Sequence, residues 1–442
     1  MMRGGGDLHV SLINRWSGLV RWSRNRVSVA ADLRTTDVRL TRRIHGAEAT
    51  VQTLRLDDDG LRETIAAAES SLRVIGKEEP KFEGLYDYLW EIEPLVCHPE
   101  LFKKVTYDLG ADTRTDLVRQ LIEPAEAAGR LCAGTLRISA DGNATMSTGG
   151  LFRYYPTTGV EYSINVRDTK GAASGWAGVT HHDFSRIDVR TLAACALDKC
   201  IRSESAMAIE PGRYTTILEP QATADLFGQL LLDRVTMLRS WAEMDATVFS
   251  SDRRGWTRIS ERVLDDRLTM SVDPMDPDGG FIPYERQSGF PYQPVTWIKQ
   301  GILKDLAYDR DYALHRLRLY QSLRSSTAFK LAADDPSQVV SVDEMIANTQ
   351  RGIYVTRFYD VKMVHRKSMA CVGYTRDGLW LIENGKVSRP VKNFRFGDSP
   401  MFILNSLLDV GPTIRVYSPG HSWMAPFVRV RDFNFTGLSD AV

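Results

Sequence analysis

The chain has 442 residues, 43% of them hydrophobic and 25% charged, and its formal net charge is zero. That length exceeds what one hydrophobic core usually supports, so two domains or a two-lobed body are expected. Electroneutrality argues against nucleic acid as the main partner, because phosphate binding needs a cationic surface. No apolar run is long enough to span a bilayer, and the first residues lack a signal-peptide apolar core. The expectation is a cytoplasmic protein with no membrane partner. Its five cysteines (Cys97, Cys132, Cys195, Cys200 and Cys371) are odd in number and scattered, which fits reduced thiols.

In chain order, residues 10–44 hold β-branched residues in partial alternation and predict strands, with another over 49–56. Residues 56–75 predict a helix. Asp57 or Asp58 can cap it, and Leu61, Ile65, Ala68 and Leu72 recur at helical spacing. A polar loop follows over 76–84. A second helix is expected over 113–132, with a kink or a new start at Pro124. From Ala133 to about Ile187 the pattern is β-rich, and 188–205 returns to a helix. Pro211-Gly212 breaks the chain before a strand at 214–220 and a helix over 222–240. Residues 341–352 predict a helix with a Ser341/Glu344 capping box and Gly352 at its C-terminal end. Beyond it lie closely spaced strands, with Asp377-Gly378 and Asn384-Gly385 as hairpin-turn dipeptides. The fold class is therefore α+β: an N-terminal α/β domain over 1–210 and a C-terminal β-rich domain, antiparallel or barrel-like, over 211–442.

Several residue groups invite a chemical reading. His181-His182-Asp183 holds the only adjacent histidine pair. Neighbours on a strand face opposite ways, so a shared metal is disfavoured unless a loop relaxes that rule. Asp273, Asp276 and Asp278 have the wrong spacing for a calcium loop, and Pro274 and Pro277 disturb it further. Cys195 and Cys200 do not share a helix face, and Cys371 sits in a strand as a buried thiol. No Gly-x-Ser-x-Gly elbow supplies a serine nucleophile. The aromatics Phe281, Tyr284, Phe290, Tyr292 and Trp297 cluster in a Pro/Gly-rich loop that can line a cleft or pack on itself.

An ordered set of segments carries a family resemblance. It comprises residues 124–166, Ser174–Gly178, the helix at 188–205, Pro211-Gly212-Arg213-Tyr214, and Gly352-Ile353-Tyr354-Val355. Ile382-Glu383-Asn384-Gly385-Lys386, Pro390-Val391 and 424–437 complete it. Together they resemble the TldD/PmbA family, whose members act on peptides. The resemblance implies a working pair of related subunits, one TldD-like with zinc and one TldE-like (PmbA-like) without it. Catalytic members carry His-Glu-x-x-x-His on the helix after the strand at 214–220; here those positions hold Gly228, Gln229 and Asp233. His421 stands near where catalytic members place a cysteine. A catalytic zinc needs three protein ligands and a general base, and glycine has no side chain to ligate.

The expectation is a zinc-free, non-catalytic subunit with no cofactor of its own. It shapes a peptide cleft, with Tyr284, Phe290, Tyr292 and His421 as possible cleft residues, for a TldD-like zinc metallopeptidase partner. Its substrate would be a peptide or a peptidyl small molecule, held as an added strand. Maturation of a peptidyl or aminoacyl natural product is one such role. Two other readings stay open: a self-sufficient hydrolase using His181, His182 or His421, and a peptide-binding scaffold without a peptidase partner.

Overall fold

The computed structural model describes residues 7–44, 47–75, 100–232, 236–279, 284–285, 289, 291–308, 312–319 and 328–439. The loop expected at 76–84, together with Cys97, Asp233, Phe281 and Phe290, lies outside the described residues.

The first half builds an antiparallel sheet of six strands in the order β3-β2-β1-β4-β5-β6. These are β1 (Asp7–Ser23), β2 (Arg26–Ile44), β3 (Ala47–Thr53), β4 (Leu131–Ser147), β5 (Phe152–Arg167) and β6 (Ser174–His181). Its helices are α1 (Asp58–Ile75), α2 (Lys104–Tyr107), α3 (Ala111–Ala127) and α4 (Val189–Arg202). Helix α1 starts where the Asp57 carboxylate accepts the Gly60 N–H at 2.8 Å, and α4 where Asp188 accepts from Arg190 and Thr191. Helix α3 runs through Pro124 without a new start, since only one turn follows the missing N–H. Val118, Leu121 and Ile122 of α3 and Ala193 and Ala196 of α4 pack on Leu136, Ile138, Tyr162 and Ile164 of the sheet, forming one core.

The second half has an eleven-stranded mixed sheet. Its strands are β7 (Gly212–Leu218), β8 (Leu268–Val272), β9 (Val295–Lys299), β10 (Ile302–Leu303), β11 (Ala328–Ala333) and β12 (Arg351–His365). They continue with β13 (Ala370–Glu383), β14 (Lys386–Pro390), β15 (Phe394–Asp398), β16 (Leu407–Arg415) and β17 (Ser422–Leu438). Pairings β7–β12, β12–β13, β13–β15, β15–β17 and β17–β7 close a ring. Closure removes free edges, so part of this half is a true barrel. Phe358, Phe394, Phe396, Phe433 and Phe435 fill it, with ring centroids as close as 4.6 Å (Phe358–Phe396) and 4.8 Å (Phe433–Phe435). Each of the two pairs 394/396 and 433/435 is two residues apart and so points to the same side of its strand. Burying each ring stabilises by roughly 1.5–3 kcal/mol.

Three local expectations need correction. Asp377-Gly378 is not a hairpin turn: both residues have positive φ (60° and 127°), yet β13 continues through them. The register with β12 shifts here, between Val355 and Arg357, so the dipeptide makes a bulge that bends β13 into the ring. Asn384-Gly385, by contrast, is a two-residue turn joining β13 to β14, with φ of 51° and 74°. Gly352 does not end the helix before it. That helix, Val342–Ala347, stops at Asn348, and Gly352 belongs to β12, where its backbone packs against Thr215 of β7. The Ser341 cap is present, its hydroxyl accepting the Glu344 N–H at 3.2 Å.

The helix expected over 222–240 is also divided. Pro220–Phe227 (α5) ends before Gly228, Gln229–Leu232 (α6) follows, and Arg239–Glu243 (α7) is separate. Among the described residues no helix is long and apolar enough to cross a membrane.

Candidate functional site

Helix α5 leaves β7 through Glu219 and Pro220, the proline occupying the first helical position, where its missing N–H costs nothing. The helix is buried on most sides. Its Asp225 carboxylate accepts from Gln221 Nε2 and from the Phe358 backbone N–H, both at 2.9 Å. Burial raises the Asp225 pKa, against the opposing pull of Arg357. Gln221 in turn takes the Tyr417 N–H on its Oε1 at 2.9 Å, which ties the helix to the turn at 416–421.

That turn approaches the first lobe. Thr180 of β6 donates its N–H to Val416 O at 3.4 Å, and its hydroxyl lies 3.2 Å from Ser418 Oγ. The turn then delivers Trp423 against Gly228. A Cβ built on Gly228 would lie 2.4 and 2.6 Å from indole carbons and 2.6 Å from the Ala224 carbonyl oxygen. The indole also packs on Phe329 (5.3 Å between centroids) and His421 (5.1 Å), and Phe329 on Phe227. An aromatic cluster therefore fills the space beside Gly228. Gln229 is half-buried and donates to Asp225 O at 3.5 Å.

Of the remaining sequence-derived candidates, His421 belongs to this cluster, while Tyr284 bridges Pro291, the neighbour of Tyr292. His421 Nδ1 sits 2.9 Å from Pro419 O within its own turn. Tyr284 is fully buried, and its hydroxyl donates to Asn143 O at 3.0 Å, which anchors its loop to the first-lobe sheet. Tyr292 is half-buried at the far end of that loop.

His181 and His182 do not face opposite ways. β6 ends at His181, and the rings stack with centroids 4.6 Å apart. Burial, reinforced by Arg415, lowers both pKa values to about 4, so both imidazoles are neutral at pH 7. Arg415 donates to Ser422 Oγ at 2.8 Å, and Ser422 donates to Gly279 O. Ser422, Asp276 and Lys330 line a cavity of about 390 Å³ between the 273–279 loop and strands β8, β11 and β17. Among the described residues no three His, Cys, Asp or Glu side chains come together as metal ligands.

Sequence reasoning missed the seam between the lobes. Asn165 Nδ2 donates to the buried Asp377 carboxylate at 2.8 Å, and Arg357 approaches the same group at 3.6 Å. The bulge at Asp377-Gly378 aims that carboxylate across the seam. Lys199 of α4 pairs with Glu219 at 2.7 Å, and Tyr354 donates to the same glutamate at 3.1 Å. Trp380 Nε1 donates to Arg202 O. These partners lie far apart in sequence, and no local spacing marks them.

The fold matches three crystal structures along nearly their whole lengths. One is a protein from Thermotoga maritima described as a candidate modulator of DNA gyrase. Its TM-score is 0.83 at 16% identity, covering 98% of this chain and 96% of that one. A second, from Bacteroides thetaiotaomicron and described likewise, gives 0.80 at 17% identity, covering 98% and 95%. The third is TldE from Thermococcus kodakarensis, at 0.79 and 15% identity, covering 98% and 97%. No protein with a curated description matches the sequence. Residues 211–437 match the model of the PmbA/TldA metallopeptidase C-terminal domain. The chain belongs to the PmbA/TldD family.

Proposed function

We propose that this chain is the metal-free subunit of a two-subunit TldD/TldE-type peptidase, completing the peptide cleft of a zinc-bearing partner. The observation that carries this reading is the contact between Trp423 and Gly228. Gly228, where catalytic relatives are expected to place a zinc ligand, has no side chain, and an indole occupies the adjoining volume. The residues present do not fit a catalytic zinc, which needs three convergent protein ligands and a carboxylate base. Gln229 is an amide and cannot serve as that base.

The test is co-expression with a relative that retains His-Glu-x-x-x-His, with metal content and peptide hydrolysis assayed for each chain alone and together. Peptidyl and aminoacyl small molecules belong in the substrate panel. The expected outcome is a one-to-one complex, zinc in the partner, and hydrolysis only when both chains are present. Zinc and hydrolysis in this chain alone would overturn the reading. A companion variant, Gly228→His, is expected to lose about 1–3 kcal/mol of stability in denaturant titration through overpacking against Trp423, without gaining zinc. The pair Gly228→His/Trp423→Gly should recover part of that loss.

A further inference from the structure

A second cavity, of about 670 Å³, opens along the seam on a different set of residues. Its wall joins the β1–β2 turn, the segment after β5, and strands β12 and β13. Two arginines from the second lobe sit over aromatic rings: the Arg357 guanidinium carbon lies 4.2 Å from the Trp176 ring centroid, and that of Arg376 4.2 Å from the Tyr359 centroid. Arg24, Arg167 and Lys170 face the same space from the first lobe. Among the described residues only two acids line it, and both are engaged. Asp168 accepts the Ala172 and Ala173 N–H groups at 2.7 and 3.1 Å. Asp377 is held by Asn165 and Arg357. Arg24 and Lys170 have no partner among the described residues, and the buried Arg357 Nε has no acceptor. Among the described residues, five cations thus face two acids in one cleft of a chain whose net charge is zero.

We propose that this seam cleft is a binding site for a ligand bearing several carboxylates or equivalent oxyanions. Guanidinium groups stacked on rings present their N–H edges sideways, the geometry that pairs with a planar oxyanion. The same stacking covers ring faces of Trp176 and Tyr359 that a nucleobase would need, which disfavours a nucleic acid. The volume is that of a small-molecule or short-peptide site. Because both lobes contribute, an occupant would also bridge them. This inference does not depend on a peptidase partner.

The test is calorimetric titration of the full chain, at low and at physiological salt, with a short oligoglutamate peptide, citrate, inorganic phosphate, an oligoglutamine control and a short single-stranded DNA. Oligoglutamate or a small oxyanion should bind saturably and weaken with salt. The Arg24→Gln/Lys170→Gln variant, which alters two exposed side chains, should bind about tenfold more weakly. Arg376→Gln should weaken binding as well. Preference for oligoglutamate over citrate and phosphate assigns the carboxylates to a polypeptide, and the reverse assigns them to a small molecule. No saturable binding of any oxyanion probe, affinity unchanged in the double variant, or tighter binding of the DNA would overturn the proposal.

Discussion

The barrel and the seam hold the same chain together by opposite means. Within the barrel, five phenylalanines supplied by β12, β15 and β17 touch one another inside a ring closed by backbone pairing. Along the seam the named contacts are an ion pair between Lys199 and Glu219, a carboxylate shared by Asn165 and Arg357, and an indole donating to a carbonyl. Dry packing is rigid and tolerates little change. Polar interfaces of this kind resemble transient protein–protein contacts and allow relative movement. The difference teaches where ligand-dependent adjustment belongs: the barrel is the fixed frame, and the seam is the surface that a bound anion can tune.

Substitutions can break that contrast from either side. Phe433→Ala removes the ring that touches Phe358, Phe396 and Phe435, and should cost about 3–5 kcal/mol. Chemical denaturation should show it as a lower midpoint for the whole second half. Asp377→Ala leaves the Asn165 amide and Arg357 without their carboxylate, yet Arg357 keeps its stack on Trp176. The expected loss is about 2 kcal/mol, accompanied by faster limited proteolysis near residues 203–211, between α4 and β7. Equal losses in the two variants would erase the distinction.

The smallest effect is a pH dependence at the edge of the seam. The folded pKa of His181 and of His182 lies near 4, below the ordinary 6.5. Stability from keeping them neutral is therefore fully present above pH 6.5 and is lost as pH falls toward 4, because the unfolded chain takes up the protons first. Arg415 acts with burial to lower both values and Lys103 adds to this at His182, while Asp183 and Asp278 oppose them. His181→Gln/His182→Gln should flatten the stability profile in that window by about 1 kcal/mol at pH 5. A residual slope should remain from the buried His9, whose pKa is also lowered to about 4.

What the sequence made legible was local. The Asp57 and Ser341 caps, the Asn384-Gly385 turn and the long alternating strands of the first sheet all depend on neighbours a few residues away. Asp377-Gly378 has the same dipeptide chemistry as a hairpin turn, but closure of the ring demands a bend there rather than a reversal. Parallel pairing of β7 with β12 and of β11 with β17 brings together segments that no periodicity links. The candidate site divides the same way. That Gly228 and Gln229 offer neither a zinc ligand nor a carboxylate base is visible in the letters, whereas the indole of Trp423 beside Gly228 is a contact between residues almost two hundred positions apart. The cations of the seam cleft are scattered from Arg24 to Arg376, and only the fold collects them.

Strand β17 carries a consequence for how the molecule is made. It pairs with β7, β11, β15 and β16 along its length, and β7 lies some two hundred residues upstream. During synthesis the ring cannot close until β17 has left the ribosome, so β7 waits with one edge unpaired while the rest of the second half emerges, and β15 then waits with it. Such long-range closure is slow and exposes aggregation-prone strands in the interval. A nascent chain stalled before Ser422 should therefore engage chaperones, whereas the first sheet, whose strands are all complete by His181, can already have formed.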